Sequence, residues 1–222
     1  QHNDARRQRQ MCIRDRNVRV GGMLSGKKGI LHLHLGALSS KMDLLFEIIE
    51  NYEFPIEHIS PTHVGRTKDL FNQAITFAKM GGMIDITTGA SKYTDPYKSV
   101  LYALDNNVSI DNMTFSSDGN AGLDKLDKNN NLVGFKSAPF DKNFEEVINL
   151  HKLGGIPLED ALKLITSNPA KNLGLKNKGQ VKVNSDADLC FLNSDLELHT
   201  VIANGKFMMQ EGALVVKGSF EK

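Results

Sequence analysis

The chain has 222 residues, 40% of them hydrophobic and 24% charged, with 27 basic against 26 acidic side chains. That is enough for one substantial core, too little for two full-sized enzyme domains, and an ordinary globular composition. The near-zero balance excludes a bulk field that would draw in nucleic acid or an anionic membrane. No apolar run approaches the roughly 20 residues needed to span a bilayer.

Residues 1–16 (QHNDARRQRQMCIRDR) do not match the rest, being arginine-rich with no apolar periodicity and no hydrophobic stretch of a secretory signal. They read as a non-native segment that packs against nothing, because few apolar side chains offset the entropy of ordering. A basic nucleic-acid-binding tail is the other reading of such a charge block. Protein-like sequence begins abruptly near Asn17.

From Gly29 onward, short β-branched or apolar runs alternate with amphipathic stretches. Residues 30–35 (ILHLHL) read as a strand, and 41–51 as a helix with Met42, Leu45, Ile48 and Ile49 at helical spacing. A strand over 59–64 (ISPTHV) leads to a helix over 67–80, with Thr67 as N-cap and Gly81 ending it. A strand over 83–88 (MIDITT) is followed by a helix over 95–106, with Asp95 as N-cap and Pro96 at the first helical position. Residues 113–117 (MTFSS) form the fourth strand, and the polar stretch 124–131 reads as an exposed loop. Helices follow over 141–153 and 157–166, the latter leading into 168–173.

Such strand–helix repeats with short links imply parallel strands joined by right-handed crossovers. They describe half of a (β/α)₈ barrel or one small doubly wound sheet. After Gly174 the pattern changes to short strands over 188–192, 198–204, 206–209 and 213–216, separated by turns such as Asn204-Gly205 and Glu211-Gly212. This tail reads as a small antiparallel β unit. The cysteines, Cys12 and Cys190, are far apart, which favours a reducing, cytoplasmic setting over a disulfide scaffold. Cys190 is expected to be a small buried hydrophobe.

The chemistry-bearing residues end the predicted strands: His34 the first, His63 the second, Asp118 the fourth. A lone histidine on a strand is more often a hydrogen-bonded core or surface residue than a ligand, and Asp118-Gly119 by itself could be only a turn. Three residues of metal-ligating type, each ending a separate strand of one βα series, change that balance. In a barrel those ends meet at one mouth, and two imidazoles with a carboxylate suit Zn²⁺ or a similar borderline metal.

These residues sit in a set of motifs: VGGMLSGKKG (20–29), HLHLG (32–36), PTHVGR (61–66), GGMIDITT (81–88), SSDGN (116–120), TSNPAKNLGLKNKGQV (166–181), DADLCFL (186–192) and VVKGSFE (215–221). Together they resemble the amidohydrolase superfamily, and within it the isoaspartyl dipeptidase (β-aspartyl peptidase) family. The run NPA…KG…DADL is specific to the superfamily, whereas PTHVGR with SSDG and KGSFE matches the dipeptidase family.

The resemblance implies an α/β fold: the second half of a (β/α)₈ TIM-type barrel over 17–175, with a C-terminal segment of a β-sandwich over 176–222. It implies a binuclear site, with Zn²⁺ the expected metal. His34 and His63 would bind one ion, Asp118 would bind the other and act as general acid/base, and Arg66 would bind a substrate carboxylate. The substrate would be a small β-aspartyl dipeptide, with no nucleic acid or membrane partner, and the complete protein a homo-oligomer. His32 shares a strand face with His34, so HLH imitates the superfamily's first-strand HxH. The order HLHLG–PTHVGR fits the fifth and sixth strands instead, leaving His32 a same-face neighbour.

The family's HxH pair and bridging lysine have no counterpart in this chain, since Lys27 and Lys28 lie in a loop before the strand. Ala37 stands where the family often has an acidic residue, and Gly122 where a serine contacts substrate. The expectation is therefore a truncated enzyme, inactive alone, whose open parallel edges favour aggregation or oligomerisation. The rivals are a cyclic amidase of the dihydroorotase or hydantoinase type and a non-catalytic, degenerate fragment. Thr87, Thr88 and Tyr93 are read as scaffold.

Overall fold

The computed structural model describes residues 16–89 and 93–218. The packing expected of the N-terminal segment and the end of the KGSFE motif therefore lie outside the described residues, except that Arg16 lies in a helix, α1, described over 16–24. The chain divides into a unit ending at Gly174 and a second unit from Leu175.

In the first unit, parallel strands alternate with helices in the order β1 (Leu31–His34), α2 (Asp43–Tyr52), β2 (Ile59–Thr62), α3 (Lys68–Lys79), β3 (Ile84–Thr87), α4 (Pro96–Asp105) and β4 (Met113–Ser116). β1 pairs with β2, His34 opposite Thr62, and β3 pairs with β4, Thr87 opposite Ser116. Each strand alternates a non-polar with a polar residue: LHLH, ISPT, IDIT, MTFS. Opposed residues of paired strands share a face, so one face carries Ile59, Ile84, Ile86 and Met113, all wholly buried. Met42, Ile48, Leu70, Phe71 and Phe77 complete that core from the helix layer, and Leu33 packs against it. The other face is polar throughout. Parallel strands covered on both faces usually read as continuous apolar runs; this alternation marks a face built for something other than packing.

The helices begin and end largely as their sequences dictate. Thr67 Oγ1 accepts the Leu70 N–H at 3.2 Å and caps α3, and Gly81 beyond it is left-handed, with φ +98°. Pro96 opens α4 as expected, but Asp95 does not cap it. Its carboxylate instead pairs with Lys98 at 2.8 Å, and the Tyr97 N–H donates to Glu146 Oε2 at 2.9 Å. A carboxyl from α5 (Lys142–Lys152) thus supplies the cap that the local sequence assigned to Asp95. The stretch read as a loop over 124–131 is also corrected. It belongs to an antiparallel hairpin of β5 (Gly122–Leu126) and β6 (Leu132–Ser137). Only its tip is a turn, in which Asp127 accepts the N–H groups of Asn129 and Asn131.

After α6 (Leu158–Lys163), α7 (Ser167–Leu173) closes the N-terminal side of the strands. Asn168 Nδ2 donates to the Ile110 and Met113 carbonyls, both at 2.8 Å, and Asn172 Nδ2 donates to Ser60 Oγ at 2.9 Å. The Phe115 N–H donates to the Leu164 carbonyl at 2.9 Å, so this segment extends the edge of β4.

Burial pushes the Glu146 carboxyl above its ordinary 4.5, and the Tyr97 N–H and Asn149 amide only partly oppose this. The folded state holds that proton more tightly than the unfolded chain. The stabilisation it gives is therefore complete below a pH of about 4.5 and is lost as pH rises through the folded-state value. Glu146→Gln keeps an acceptor for Tyr97 without the charge, and should flatten this fall in stability between about pH 4.5 and neutrality. Urea midpoints at the two pH values measure it. A larger loss relative to wild type at neutral pH than at acid pH contradicts it.

The second unit is one antiparallel sheet in the order β10–β9–β8–β7, built from β7 (Leu189–Leu192), β8 (Leu198–Ala203), β9 (Lys206–Gln210) and β10 (Ala213–Leu214). Asn204 and Gly205, with φ 49° and 76°, are both left-handed, the conformation a two-residue hairpin turn needs. Lys178 bridges Asp186 and Asp188, and Asp188 Oδ1 accepts the Asn204 N–H at 2.7 Å, pinning that turn. No described residue of this unit is buried, because a single sheet has no second layer of its own. Cys190 is accordingly exposed rather than the small buried hydrophobe expected of it. Among the described residues no helix is long and apolar enough to cross a membrane.

Candidate metal centre

The polar face carries His32 and His34 on β1, Ser60 and Thr62 on β2, Asp85 and Thr87 on β3, and Thr114 and Ser116 on β4. At its C-terminal end lie the residues singled out from the sequence. His34 is the last residue of β1 and is exposed. His32 shares its face, and the two rings meet edge to face with centroids 5.2 Å apart.

His63 follows β2 directly. Strict alternation would turn it away from the polar face, since Thr62 before it already points there. Instead its backbone is left-handed, with φ 63°, a conformation that costs a non-glycine residue about 1–3 kcal/mol and is kept where surrounding contacts hold it. The turn returns the imidazole to the polar face, where it is 5% exposed. There His63 Nε2 lies 2.9 Å from His34 Nδ1, and His63 Nδ1 lies 2.7 Å from Thr87 Oγ1. With the Thr87 oxygen accepting from Nδ1, the Nε2 lone pair faces His34. Burial holds the His63 pKa below the ordinary histidine value; Arg66 and His34 lower it further, while Asp118 and Asp85 oppose the shift. A neutral imidazole fixed through its far nitrogen is the form that binds a metal.

Arg66 ends the short 3₁₀ turn Val64–Arg66, anchored by buried Val64 and Gly65, and its side chain is exposed. No ion pair to a described residue engages it, although its charge reaches His63. Asp118 lies two residues beyond β4, half-buried and left-handed with φ 53°. A Cβ at Gly119 after it would fall 2.3 Å from the Phe140 ring, so a larger residue there requires that exposed ring to move. The structure therefore brings His34 and His63 into contact and sets Asp118 and Arg66 within electrostatic reach of His63. Among the described residues no group of three or more His, Cys, Asp or Glu side chains is placed to hold one ion. The donor set fits two nitrogen ligands of a single metal, fewer than the three protein ligands of a catalytic zinc site.

Asp85 was not among the residues singled out from the sequence, and Thr87, read as scaffold, lies 2.7 Å from His63 Nδ1. Thr62 donates to Asp85 Oδ2 at 2.5 Å and Thr114 to Oδ1 at 2.7 Å, and Ser116 also donates to Oδ2. The period of two in IDIT and MTFS was the signal that these side chains share the histidines' face.

The amidohydrolase family pattern matches residues 26–208. A β-aspartyl dipeptidase from Fervidobacterium islandicum, solved in complex with the β-Asp-Leu dipeptide, is 36% identical with a TM-score of 0.85, over 96% of this chain and 56% of that one. A second structure of β-aspartyl dipeptidase from that organism is 34% identical with a TM-score of 0.79, over 92% of this chain and 52% of that one. The chain thus spans little more than half the length of these relatives. An adenosine deaminase from Xanthomonas campestris with bound zinc, 16% identical with a TM-score of 0.51 over 86% of this chain and 47% of that one, shares the fold alone. These relatives imply a TIM-barrel-type fold, of which the described strands form a parallel α/β portion without a closed barrel. The chain belongs to the amidohydrolase family.

Proposed function

We propose that this chain carries the second half of the (β/α)₈ barrel of a metal-dependent isoaspartyl dipeptidase, an enzyme that hydrolyses β-aspartyl dipeptides in its complete form. The observation that carries this reading is the pair of imidazole nitrogens 2.9 Å apart at adjacent parallel strand ends, with Arg66 and Asp118 in electrostatic reach. The 36% identity to a dipeptidase holding β-Asp-Leu supports the substrate class.

In this reading His34 and His63 hold one ion of a binuclear Zn²⁺ centre, and Asp118 binds the other. Bound metal supplies polarisation of the scissile carbonyl and a water acidified toward neutral pH. Asp118 takes the proton of the attacking water and passes it to the leaving amine. Arg66 grips a substrate carboxylate through parallel N–H donors, a geometry that lysine cannot reproduce. The active protein is a cytoplasmic homo-oligomer acting on small dipeptides, with no nucleic-acid or membrane partner.

The test uses a protein of the relatives' length that contains these residues, supplied with Zn²⁺ and β-Asp-Leu, and follows release of leucine. Arg66→Met removes charge-assisted hydrogen bonds of about 1.5–3 kcal/mol, so KM should rise roughly tenfold to hundredfold with a smaller fall in kcat. Turnover of dihydroorotate or a hydantoin, with none of β-Asp-Leu, would move the reading to a cyclic amidase.

A further inference from the structure

Asp85 is 6% exposed and pairs with no cation among the described residues. A buried carboxylate without a cation is expensive, and the hydroxyls of Thr62, Thr114 and Ser116 are what compensate it. Where these donors lie explains what the arrangement does. Backbone ladders join β1 to β2 and β3 to β4, but β2 and β3 belong to separate two-stranded ladders. The Thr62–Asp85 bond crosses that seam at 2.5 Å. Ser116 brings β4 to the same carboxylate oxygen.

Two of the residues that donate to Asp85 lie next to site residues in sequence. Thr62 immediately precedes His63, and Ser116 stands two residues before Asp118. One carboxylate oxygen thereby ties the strand end of the histidine pair to the strand end of the aspartate. The His63–Thr87 bond crosses the same seam one layer closer to the mouth. Asp85 also acts electrostatically on His63, in the direction opposite to burial.

We propose that Asp85 is a positioning residue of the metal centre, fixing the two strand pairs against each other so that His63 stays seated between His34 and Thr87. The proposal rests on the reading of His34 and His63 as metal ligands. It predicts that the hydroxyl network, and not the bulk of the side chains, sets the affinity of that pair for a metal.

The experiment titrates the 222-residue chain with Zn²⁺ and follows the His34 and His63 ring signals by NMR. Asp85→Asn keeps the shape but leaves one acceptor oxygen, and should weaken Zn²⁺ binding about 10–100-fold, the range seen when residues that orient metal ligands are changed. Thr62→Val should do the same, while Thr62→Ser, which restores the hydroxyl, should bind as the parent does. A role in folding alone would move the unfolding midpoint of Asp85→Asn and Thr62→Val without this separation of serine from valine. Equal affinity in parent, Asp85→Asn and Thr62→Val overturns the proposal.

If the parent's ring signals do not respond to Zn²⁺, the metal reading itself has failed. Asp85 is then judged by the proximity of the His63 ring to Thr87, read as a nuclear Overhauser effect. Its loss in Asp85→Asn supports positioning, and its persistence overturns it. Should Asp85→Asn fail to fold, Thr62→Val and Ser116→Ala, each removing one donor, provide the same readings.

Discussion

Asp118→Asn, in a protein of the relatives' length, will lower kcat for β-Asp-Leu by about 10²–10⁴-fold, the contribution of a positioned general acid/base. Asparagine reproduces the shape and one acceptor oxygen but cannot take the water's proton or return it to the leaving amine. The left-handed backbone at Asp118 tolerates asparagine as readily as aspartate, so the fold should persist. Removing the charge has a second consequence, because Asp118 partly offsets the lowering of the His63 pKa by burial and Arg66. His63 in the variant should titrate at a lower pH than in the parent, which NMR can follow in the metal-free protein. Retention of kcat within tenfold would exclude Asp118 as the proton carrier.

The second large effect concerns stability. Phe77 on α3 is wholly buried, meets Phe46 edge to face with centroids 6.4 Å apart, and fills the space beside Gly82 so closely that a Cβ there would lie 2.1 Å from its ring. Phe77→Ala should cost about 3–5 kcal/mol, the lost transfer energy plus an unfilled cavity. That is a large share of a domain stability of about 5–15 kcal/mol. Equilibrium urea unfolding measures it, and a loss below about 1 kcal/mol would mean that the helix layer collapses freely into the gap.

Much of this core was legible because helix and strand periods are written plainly. The spacing of Met42, Leu45 and Ile48 placed the buried side of α2, and MIDITT and MTFSS located β3 and β4 within a residue or two. His34 and His63 were recognisable as strand-end residues. What escaped was set by partners distant in sequence. Asp95 has the form of an N-cap, but Lys98 one turn on competes for its carboxylate and Glu146 takes over the cap from another helix. The β5–β6 hairpin was obscured by its polar tip, where Asp127 folds the chain back on itself. Cys190 has apolar neighbours, yet no strand pattern reveals whether a second layer covers its sheet. Asp85 lay hidden between two isoleucines, since alternation tells that it faces away from the core but not that three hydroxyls await it.

Release of leucine from β-Asp-Leu in the presence of Zn²⁺ tests the central claim most directly, with the 222-residue chain assayed beside a protein of the relatives' length. The described residues offer His34 and His63 as a weak two-nitrogen site and Asp118 apart from them, too few ligands for a working binuclear centre. The 222 residues should give no turnover, and the longer protein metal-dependent turnover that Asp118→Asn abolishes. Robust metal-dependent turnover by the 222-residue chain itself, likewise abolished by Asp118→Asn, would contradict the claim.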